Sequence, residues 1–248
     1  MAPKSPSDRE IAGIVFDKDG TLVDFAATWV PVNREAARRA ARYDDALARR
    51  LLEVGGFDLA TDRIAGGSLL AAANTREIAA AWIDAGAPYA LDELTQEMDA
   101  VFAAGAARSV AVTDLVALFE RLRARGIRIA VVTSDSEAAA RATLASVGLA
   151  AEGLFVVGYD SGFTPKPSPA AVHGFCETHG LTPDQVAVVG DNLHDIRMGS
   201  SAGCALSVGV LTGTGTAVEL ASEADRVLDS IADLETLLNE RVTTAAVS

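Results

Sequence analysis

Cysteines, lysines, aromatic residues and long apolar runs are all scarce in this chain of 248 residues. The two cysteines, Cys176 and Cys204, are too few for a disulfide framework or a zinc site, so we expect buried, reduced thiols. We find no run of about 18 apolar residues, so we expect no membrane-spanning helix. The first eight residues lack the apolar stretch of a signal peptide, which favours a cytoplasmic location.

Positive charge is also scarce. The net charge is −13, with 21 basic residues against 34 acidic ones. A nucleic-acid-binding protein needs a basic face for the phosphate backbone, so we expect no nucleic-acid partner and no membrane partner. Half of the residues are hydrophobic, and the length fits one large domain or a core domain with an insertion.

Short β-branched runs alternate with helical stretches over most of the chain. The predicted strands are Ile11–Phe16, Ile127–Thr133, Leu154–Val157, Val186–Gly190 and Ala205–Val210. The predicted helices are Thr113–Arg125, with Thr113 as N-cap, Ser136–Val147, Ser168–His179 and Asp195–Ala202. Strands without polar alternation are typical of parallel strands that are covered on both faces. The pattern predicts an α/β fold, a doubly wound parallel-sheet (Rossmann-like) core.

Residues 25–107 interrupt this alternation. One long helix is predicted over Pro31–Glu53, followed by shorter helices around Leu69–Ala85 and Leu91–Ala104. No run there resembles a strand, so we expect an inserted all-helical cap domain at 25–107. The catalytic core domain would then comprise 1–24 and 108–248. An insertion directly after the first strand can close over the strand ends as a lid.

Carboxylates follow two of the predicted strands. Asp17 and Asp19 come after the first strand, and Asp191 and Asp195 come after Val186–Gly190. Open α/β sheets bind ligands at the carboxyl ends of their strands, and carboxylate oxygens suit Mg²⁺. The alternative for the first pair is a solvated Asp-Gly turn. Asp195 could cap a helix and support the loop and Lys166 instead of holding the metal directly.

Two further loops carry polar groups suited to phosphate. Thr133 and Ser134 follow the second core strand at a helix N-terminus, where unpaired amides and the helix dipole attract anions. An ordinary helix cap is the alternative. Lys166 lies in Thr-Pro-Lys-Pro-Ser-Pro, where prolines restrict the backbone. A lysine held there can neutralise phosphate charge, although an exposed loop lysine is the simpler interpretation.

Taken together, the four segments resemble the four motifs of the haloacid dehalogenase superfamily. They are Asp17-Lys-Asp19-Gly-Thr, Thr133, Lys166 in Lys-Pro-Ser-Pro, and Gly190-Asp191-Asn-Leu-His-Asp195, in this order. The insertion resembles the cap of the subfamily that includes phosphoglycolate phosphatases. The resemblance spans the whole chain.

The resemblance implies a magnesium-dependent phosphatase with Asp17 as nucleophile and an aspartyl-phosphate intermediate. Mg²⁺ would be held by Asp17, the backbone carbonyl of Asp19 and Asp191. Asp19 would protonate the leaving alcohol and then take a proton from the attacking water. Lys166 would supply a second positive charge beside the nucleophile.

The resemblance also implies that Thr133, Ser134 and Gly20 bind the phosphoryl oxygens of the substrate. Lys18 departs from the hydrophobic residue that this family often has at its position. Strand alternation would point its side chain away from the two carboxylates, so we expect it to be peripheral.

Other reactions of the family fit less well. Dehalogenation needs neither a metal nor an acid at the position of Asp19, and Asp19 and Asp191 are both present. Phosphonate hydrolysis uses a cap lysine, and residues 25–107 contain none. A sugar-phosphate mutase keeps the same core residues and stays open. A non-catalytic binding module would lack one of the core residues, and none is missing.

Substrate choice is expected to lie in the cap. Arg34 or Arg76 could bind a carboxylate such as that of phosphoglycolate, and solvated arginines paired with acidic neighbours are the alternative. The expected partner is a small phosphate ester, and the chain is expected to be a monomer or a homodimer. The three histidines, His173, His179 and His194, are expected to be surface or structural residues.

Overall fold

The computed structural model describes residues 10–150 and 152–247. The prediction about a signal peptide falls on the first residues and lies outside this described part. Two compact units are present: Met1–Asp24 with Ala111–Ser248, and Phe25–Val110. We call them the core unit and the cap unit. The second boundary was predicted at residue 107, three residues before the one observed.

Parallel strands form the centre of the core unit. The strands of the described chain are β1 (Gly13–Phe16), β2 (Phe57–Asp58), β3 (Arg63–Ile64), β4 (Arg128–Val132), β5 (Phe155–Val157), β6 (Val186–Gly190), β7 (Leu206–Val210) and β8 (Arg226–Leu228). Six of them form one sheet in the order β5-β4-β1-β6-β7-β8, and every pair in it is parallel. The predicted parallel α/β core is therefore confirmed. The edge strand β8 was not predicted.

The central strand β1 lies between β4 and β6, and all four of its residues are buried. Ile14 belongs to the apolar cluster on one face of the sheet, and Val15 to the cluster on the other. At the end of the strand, Phe16 pairs with Val131 of β4 and Val189 of β6. The loops that follow β1, β4 and β6 therefore begin side by side at one edge of the sheet.

Helices flank the sheet of the core unit. They are α6 (Leu115–Ala124), α7 (Glu137–Ser146), α8 (Ala170–His179), α9 (Leu193–Ala202), α10 (Ala217–Ala221) and α11 (Leu234–Val247), numbered after five helices of the cap unit. Asp114, and not Thr113, caps α6 by accepting a hydrogen bond from the Ala117 amide. Asn192 caps α9, and Asp195 is the third helical residue of its capping box. The alternative in which Asp195 is the N-cap is therefore wrong.

The cap unit is built mainly of helices. These are α1 (Phe25–Ala40), α2 (Asp45–Val54), α3 (Leu69–Ala72), α4 (Thr75–Asp84) and α5 (Leu91–Ala106). They enclose an apolar cluster of their own, in which Trp82 is fully buried. The strands β2 and β3 pair as a short antiparallel ribbon in this unit, so the prediction of an all-helical insertion is wrong in that detail.

Two of the predicted cap helices are each divided in two. The helix predicted over Pro31–Glu53 ends at Ala40, and Arg42 and Tyr43 take positive φ values of 52° and 65°. The carboxylate of Asp44 then accepts from two amides of α2 and starts a new helix. In the same way Asn74, the N-cap of α4, separates it from α3. Within the described residues, no helix is long and apolar enough to cross a membrane.

Candidate active site

Three carboxylates meet at the carboxyl edge of the core sheet. Asp17 follows β1, and its amide donates to the carbonyl of Val189 at 2.9 Å. Asp191 follows β6, and Asp195 lies in the first turn of α9. All three are buried, and each offers an oxygen within 4.8 Å of the others. Asp195 was expected to support the site, and it lies in this cluster.

Lys166 bridges two of these carboxylates. Its Nζ donates to Oδ1 of Asp17 at 2.6 Å and to Oδ1 of Asp195 at 2.7 Å. Its side chain is 4% exposed, so the alternative of an exposed loop lysine is wrong. Burial lowers the pKa of Lys166, but the two carboxylates outweigh burial and the pKa lies above its ordinary value. The ammonium is therefore charged at neutral pH.

Two of these carboxyl groups, Asp17 and Asp191, have a raised pKa. Burial, followed by the charge of Asp195, raises the pKa of Asp191 to about 7. Burial also raises the pKa of Asp17 well above its ordinary value, and Asp195 and Asp191 raise it further, although Lys166 opposes them. When all three carboxylates are ionised, their combined charge exceeds what the single ammonium of Lys166 can offset.

This arrangement suits a divalent cation. Oxygen ligands from carboxylates are the set that Mg²⁺ prefers, and Asp17, Asp191 and Asp195 could each supply one. Added positive charge would favour the ionised carboxylates, which burial alone disfavours. The side chains present therefore fit a metal at this edge of the sheet.

The loop after β4 adds the residues predicted to bind phosphate. Thr133 is buried, and its amide donates to the carbonyl of Val157 at 2.9 Å. Its Oγ1 accepts from the amide of Asp135 at 3.2 Å. Ser134 is exposed. The cap of α7 is Ser136, whose hydroxyl accepts from Ala139, so neither predicted residue is consumed as the N-cap.

Lys18 is not peripheral as predicted. It is fully buried, and its Nζ contacts Oδ2 of Asp19 at 2.5 Å and Oδ2 of Asp135 at 2.9 Å. Alternation misled the prediction because β1 ends at Phe16, and the chain is already turning at residue 18. Burial lowers the pKa of Lys18, but Asp19 and Asp135 outweigh burial and place the pKa above its ordinary value.

Comparison with known proteins agrees with this geometry. The sequence model of one protein family, the haloacid dehalogenase-like hydrolases, matches residues 11–203 of this chain. This chain belongs to that family. The predicted family and fold are thus confirmed, together with the prediction that the chain is an enzyme of the phosphoric monoester hydrolase class.

Curated relatives and solved structures place this hydrolase more closely. It is 32% identical over 194 residues to phosphoglycolate phosphatase of Rhodospirillum rubrum, covering 77% of this chain and 76% of the relative. It is 30% identical over 242 residues to phosphoglycolate phosphatase of Escherichia coli K12, covering 91% of each. A putative β-phosphoglucomutase structure from Thermotoga maritima aligns with TM-score 0.70 at 21% identity, covering 93% of this chain and 99% of that one. At that identity the last likeness shows the fold alone.

The site of this hydrolase also includes a loop that sequence reasoning missed. After β7, the amide of Thr214 donates to Oδ2 of Asp191 at 2.7 Å, and the hydroxyl of Thr212 donates to the carbonyl of Gly20 at 2.6 Å. A Cβ on Gly213 would lie 1.9 Å from Oδ2 of Asp191. The available signal was the alternation Thr-Gly-Thr-Gly-Thr, which begins two residues after the end of a predicted strand.

One histidine of the hydrolase lies beside the site. Nε2 of His194 is 3.5 Å from Oδ1 of Asp195, and the side chain is 35% exposed. Burial is the main cause that lowers the pKa of His194, and Asp195 opposes it. The ring is thus mainly neutral at pH 7.

In the cap unit, the predicted specificity residues are engaged in local pairs. Arg34 contacts the carboxylate of Asp62 and stacks over the ring of Phe57. Arg76 donates to Asp92 at 2.7 Å, and both side chains are largely exposed. These contacts match the alternative of solvated, paired arginines. The role of Arg34 and Arg76 in substrate choice stays a prediction.

Proposed function

We propose that this hydrolase is a magnesium-dependent phosphatase that cleaves a small phosphate monoester through an aspartyl-phosphate on Asp17. The observation that carries the proposal is the contact of 2.6 Å between Asp17 and Lys166 at the end of β1. A carboxylate that attacks a phosphate dianion meets charge repulsion, and a buried ammonium beside it reduces that repulsion. Phosphoglycolate is the proposed substrate because the relatives described above carry that name.

In the first step, a carboxylate oxygen of Asp17 attacks phosphorus and forms an acyl-phosphate bond. The bond from phosphorus to the ester oxygen breaks, and Asp19 gives its proton to the departing alkoxide. Lys166 stays bound to Asp17 and Asp195 and offsets their charge. Thr133, Ser134 and the amide of Gly20 would hold the other phosphoryl oxygens.

In the second step, water attacks the phosphorus of the aspartyl-phosphate. Asp19, now ionised, takes a proton from this water, and the bond between phosphorus and the Asp17 oxygen breaks. Inorganic phosphate leaves, and Asp17 returns as a carboxylate while Asp19 again holds its proton. The two carboxylates thus divide the nucleophilic and proton-transfer roles.

Asp17, Asp191 and the backbone carbonyl of Asp19 would hold Mg²⁺. Asp195 would support these groups through its contact with Lys166. When bound, the ion supplies electrostatic stabilisation for the phosphoryl group and for the carboxylates around it. The loop of Thr214 orients Asp191 by a backbone hydrogen bond. We further propose a cytoplasmic enzyme that is a monomer or a homodimer, which cell fractionation and sedimentation would check.

The decisive test is a phosphate-release screen over a panel of esters with and without Mg²⁺. The panel includes phosphoglycolate, sugar phosphates, nucleotides and pyrophosphate, and Asp17→Asn is the control. We expect phosphate release from phosphoglycolate to require Mg²⁺ and to fall at least about 1,000-fold in Asp17→Asn. Release only from sugar phosphates would reject phosphoglycolate but keep the reaction class. Undiminished release by Asp17→Asn would reject the mechanism.

A further inference from the structure

We propose that Lys18 is a positioning residue, which holds the Asp19 carboxylate in register with the phosphate-binding loop by bonding both Asp19 and Asp135. The proposal rests on the proposed function above, in which Asp19 transfers the proton. Lys18 itself takes no part in the bond-making and bond-breaking steps of that reaction.

The backbone of Lys18 is fixed from several sides. Its carbonyl accepts hydrogen bonds from the amides of Thr21, Leu22 and Val23, at 3.3, 2.9 and 3.0 Å. The amide of Gly20 donates to the carbonyl of Val23 at 2.6 Å and closes the turn. The loop after β1 therefore presents the Lys18 side chain from a rigid base.

The partner of Lys18 in the second loop is held equally firmly. The carbonyl of Asp135 accepts from the amide of Tyr159 at 2.9 Å. Gly158 lies so close to this loop that an added Cβ would be 2.6 Å from the Asp135 carbonyl oxygen. The Asp135 amide is bonded to Oγ1 of Thr133, a predicted phosphate ligand. The position of Asp135 is thus tied to that of the phosphate-binding loop.

The ammonium of Lys18 joins these two fixed loops. It contacts Oδ2 of Asp19 and Oδ2 of Asp135, and its side chain has no exposure. This buried cation therefore links the carboxylate of the proton-transfer group to the phosphate-binding loop. Proton transfer is sensitive to such distances, since reacting groups must be held close to the productive geometry.

Stability alone does not require a lysine at this position. Removing one partner of a buried ion pair is costly mainly where the remaining charge stays buried without a partner. Methionine has nearly the length and volume of lysine, and the two carboxylates are partly exposed, at 22% and 40%. Lys18→Met is therefore a variant that can keep the fold while removing the link.

The readout is a ratio of two rates that a purely structural defect would not change. Dinitrophenyl phosphate has a leaving group that needs no proton, whereas an alkyl phosphate has one that does. We use kcat/KM for dinitrophenyl phosphate divided by kcat/KM for phosphoglycolate, or for the best alkyl phosphate in the screen. Asp19→Asn sets the scale, and we expect it to raise the ratio about 100-fold, within the usual effect of a general acid.

We expect Lys18→Met to raise the ratio about 10-fold, as a misplaced general acid should. Combined with Asp19→Asn, it should add nothing further, since both variants remove one function. Arg226→Met, an exposed cation in the same unit, should leave the ratio unchanged. An equal loss on both esters in Lys18→Met, a lower ratio, or full additivity with Asp19→Asn would overturn the proposal.

A second variant covers the case in which Lys18→Met does not fold. Asp135→Asn keeps the lysine and weakens only its anchor in the second loop, so the ratio should rise about 3-fold for a contact of modest strength. An unchanged ratio in folded Asp135→Asn would then overturn the proposal. Failure of the wild-type enzyme to hydrolyse any ester would instead reject the proposed function itself.

Discussion

The core unit contains buried ion pairs, whereas the ion pairs described in the cap unit are exposed. In the core unit, Lys166 and Asp17 are 4% and 8% exposed and come from loops that are far apart in sequence. In the cap unit, Arg76 and Asp92 are 59% and 87% exposed. Buried pairs depend strongly on both partners, whereas exposed pairs contribute little to stability. The buried pair of Lys166 and Asp17 therefore helps to build the candidate site, whereas the exposed pair of Arg76 and Asp92 lies on the protein surface.

The strongest test of this difference is Lys166→Met. It removes the buried cation and leaves Asp17 beside Asp195 without its partner. We expect phosphate release to fall at least about 100-fold, as on loss of a preorganised charge. The free energy of unfolding should fall by about 3 kcal/mol, typical of a broken buried pair. Phosphate-release kinetics and urea unfolding measure both, and an active, equally stable variant would refute the distinction.

The second test concerns the glycine that lets Asp191 approach the loop after β7. Gly213→Ala places a Cβ where Oδ2 of Asp191 now lies and should displace that carboxylate. We expect the Mg²⁺ concentration for half-maximal activity to rise about 10-fold or more, as when the support of a metal ligand is lost. Thr214→Ser, which keeps both donors, is the control. An unchanged Mg²⁺ requirement would show that Asp191 is not a ligand.

The third test uses pH. Folding raises the pKa of Asp191 from its ordinary value near 3.8 to about 7, so the folded state binds more protons between these values. Without metal, stability contributed by this group is present below about pH 4 and is lost as pH rises through 7. Mg²⁺ competes with the proton, so it should raise Tm more at pH 8 than at pH 5. Thermal unfolding at both values, with Asp191→Asn as control, checks this.

The smallest effect is expected in the cap unit. Arg76→Met breaks an exposed pair, so the free energy of unfolding should change by less than about 0.5 kcal/mol. If Arg76 binds the substrate carboxylate, KM for phosphoglycolate will rise while KM for dinitrophenyl phosphate stays the same. If KM for phosphoglycolate is the same in Arg76→Met as in the wild-type enzyme, Arg76 is not a specificity residue. Arg34 would then be tested by the same comparison.

Sequence patterns predicted the core unit well, and the reason is physical. Strands buried on both faces, such as β1 and β6, need continuous apolar residues, and the polar residues directly after them, Asp17 and Asp191, then stand out. Thr133 stands out in the same way, because it is a polar residue directly after the buried strand β4. The place of Asp195 within α9 differed from one of the alternatives because Asn192 caps the helix.

Other features depend on contacts between residues distant in sequence. Lys18, for example, contacts Asp135, which lies in another loop and is distant in sequence. The loop of Thr212 and Thr214 acts through Gly20 and Asp191, which lie far from it in sequence. The break between α1 and α2 at Arg42 and Tyr43 contains neither glycine nor proline. The helical periodicity therefore predicted one continuous helix there.

The place where the cap unit is inserted has a consequence for how such enzymes change. Val23 and Ala111 form an antiparallel bridge, and the amide of Val112 donates to the carbonyl of Leu22 at 3.1 Å. The chain therefore leaves and re-enters the core unit at adjacent points. Removing residues 25–110 would bring together two ends that already lie side by side, so a short turn could join them. The inserted segment can accordingly be lengthened, shortened or exchanged during evolution without a change in the strand order of the core sheet.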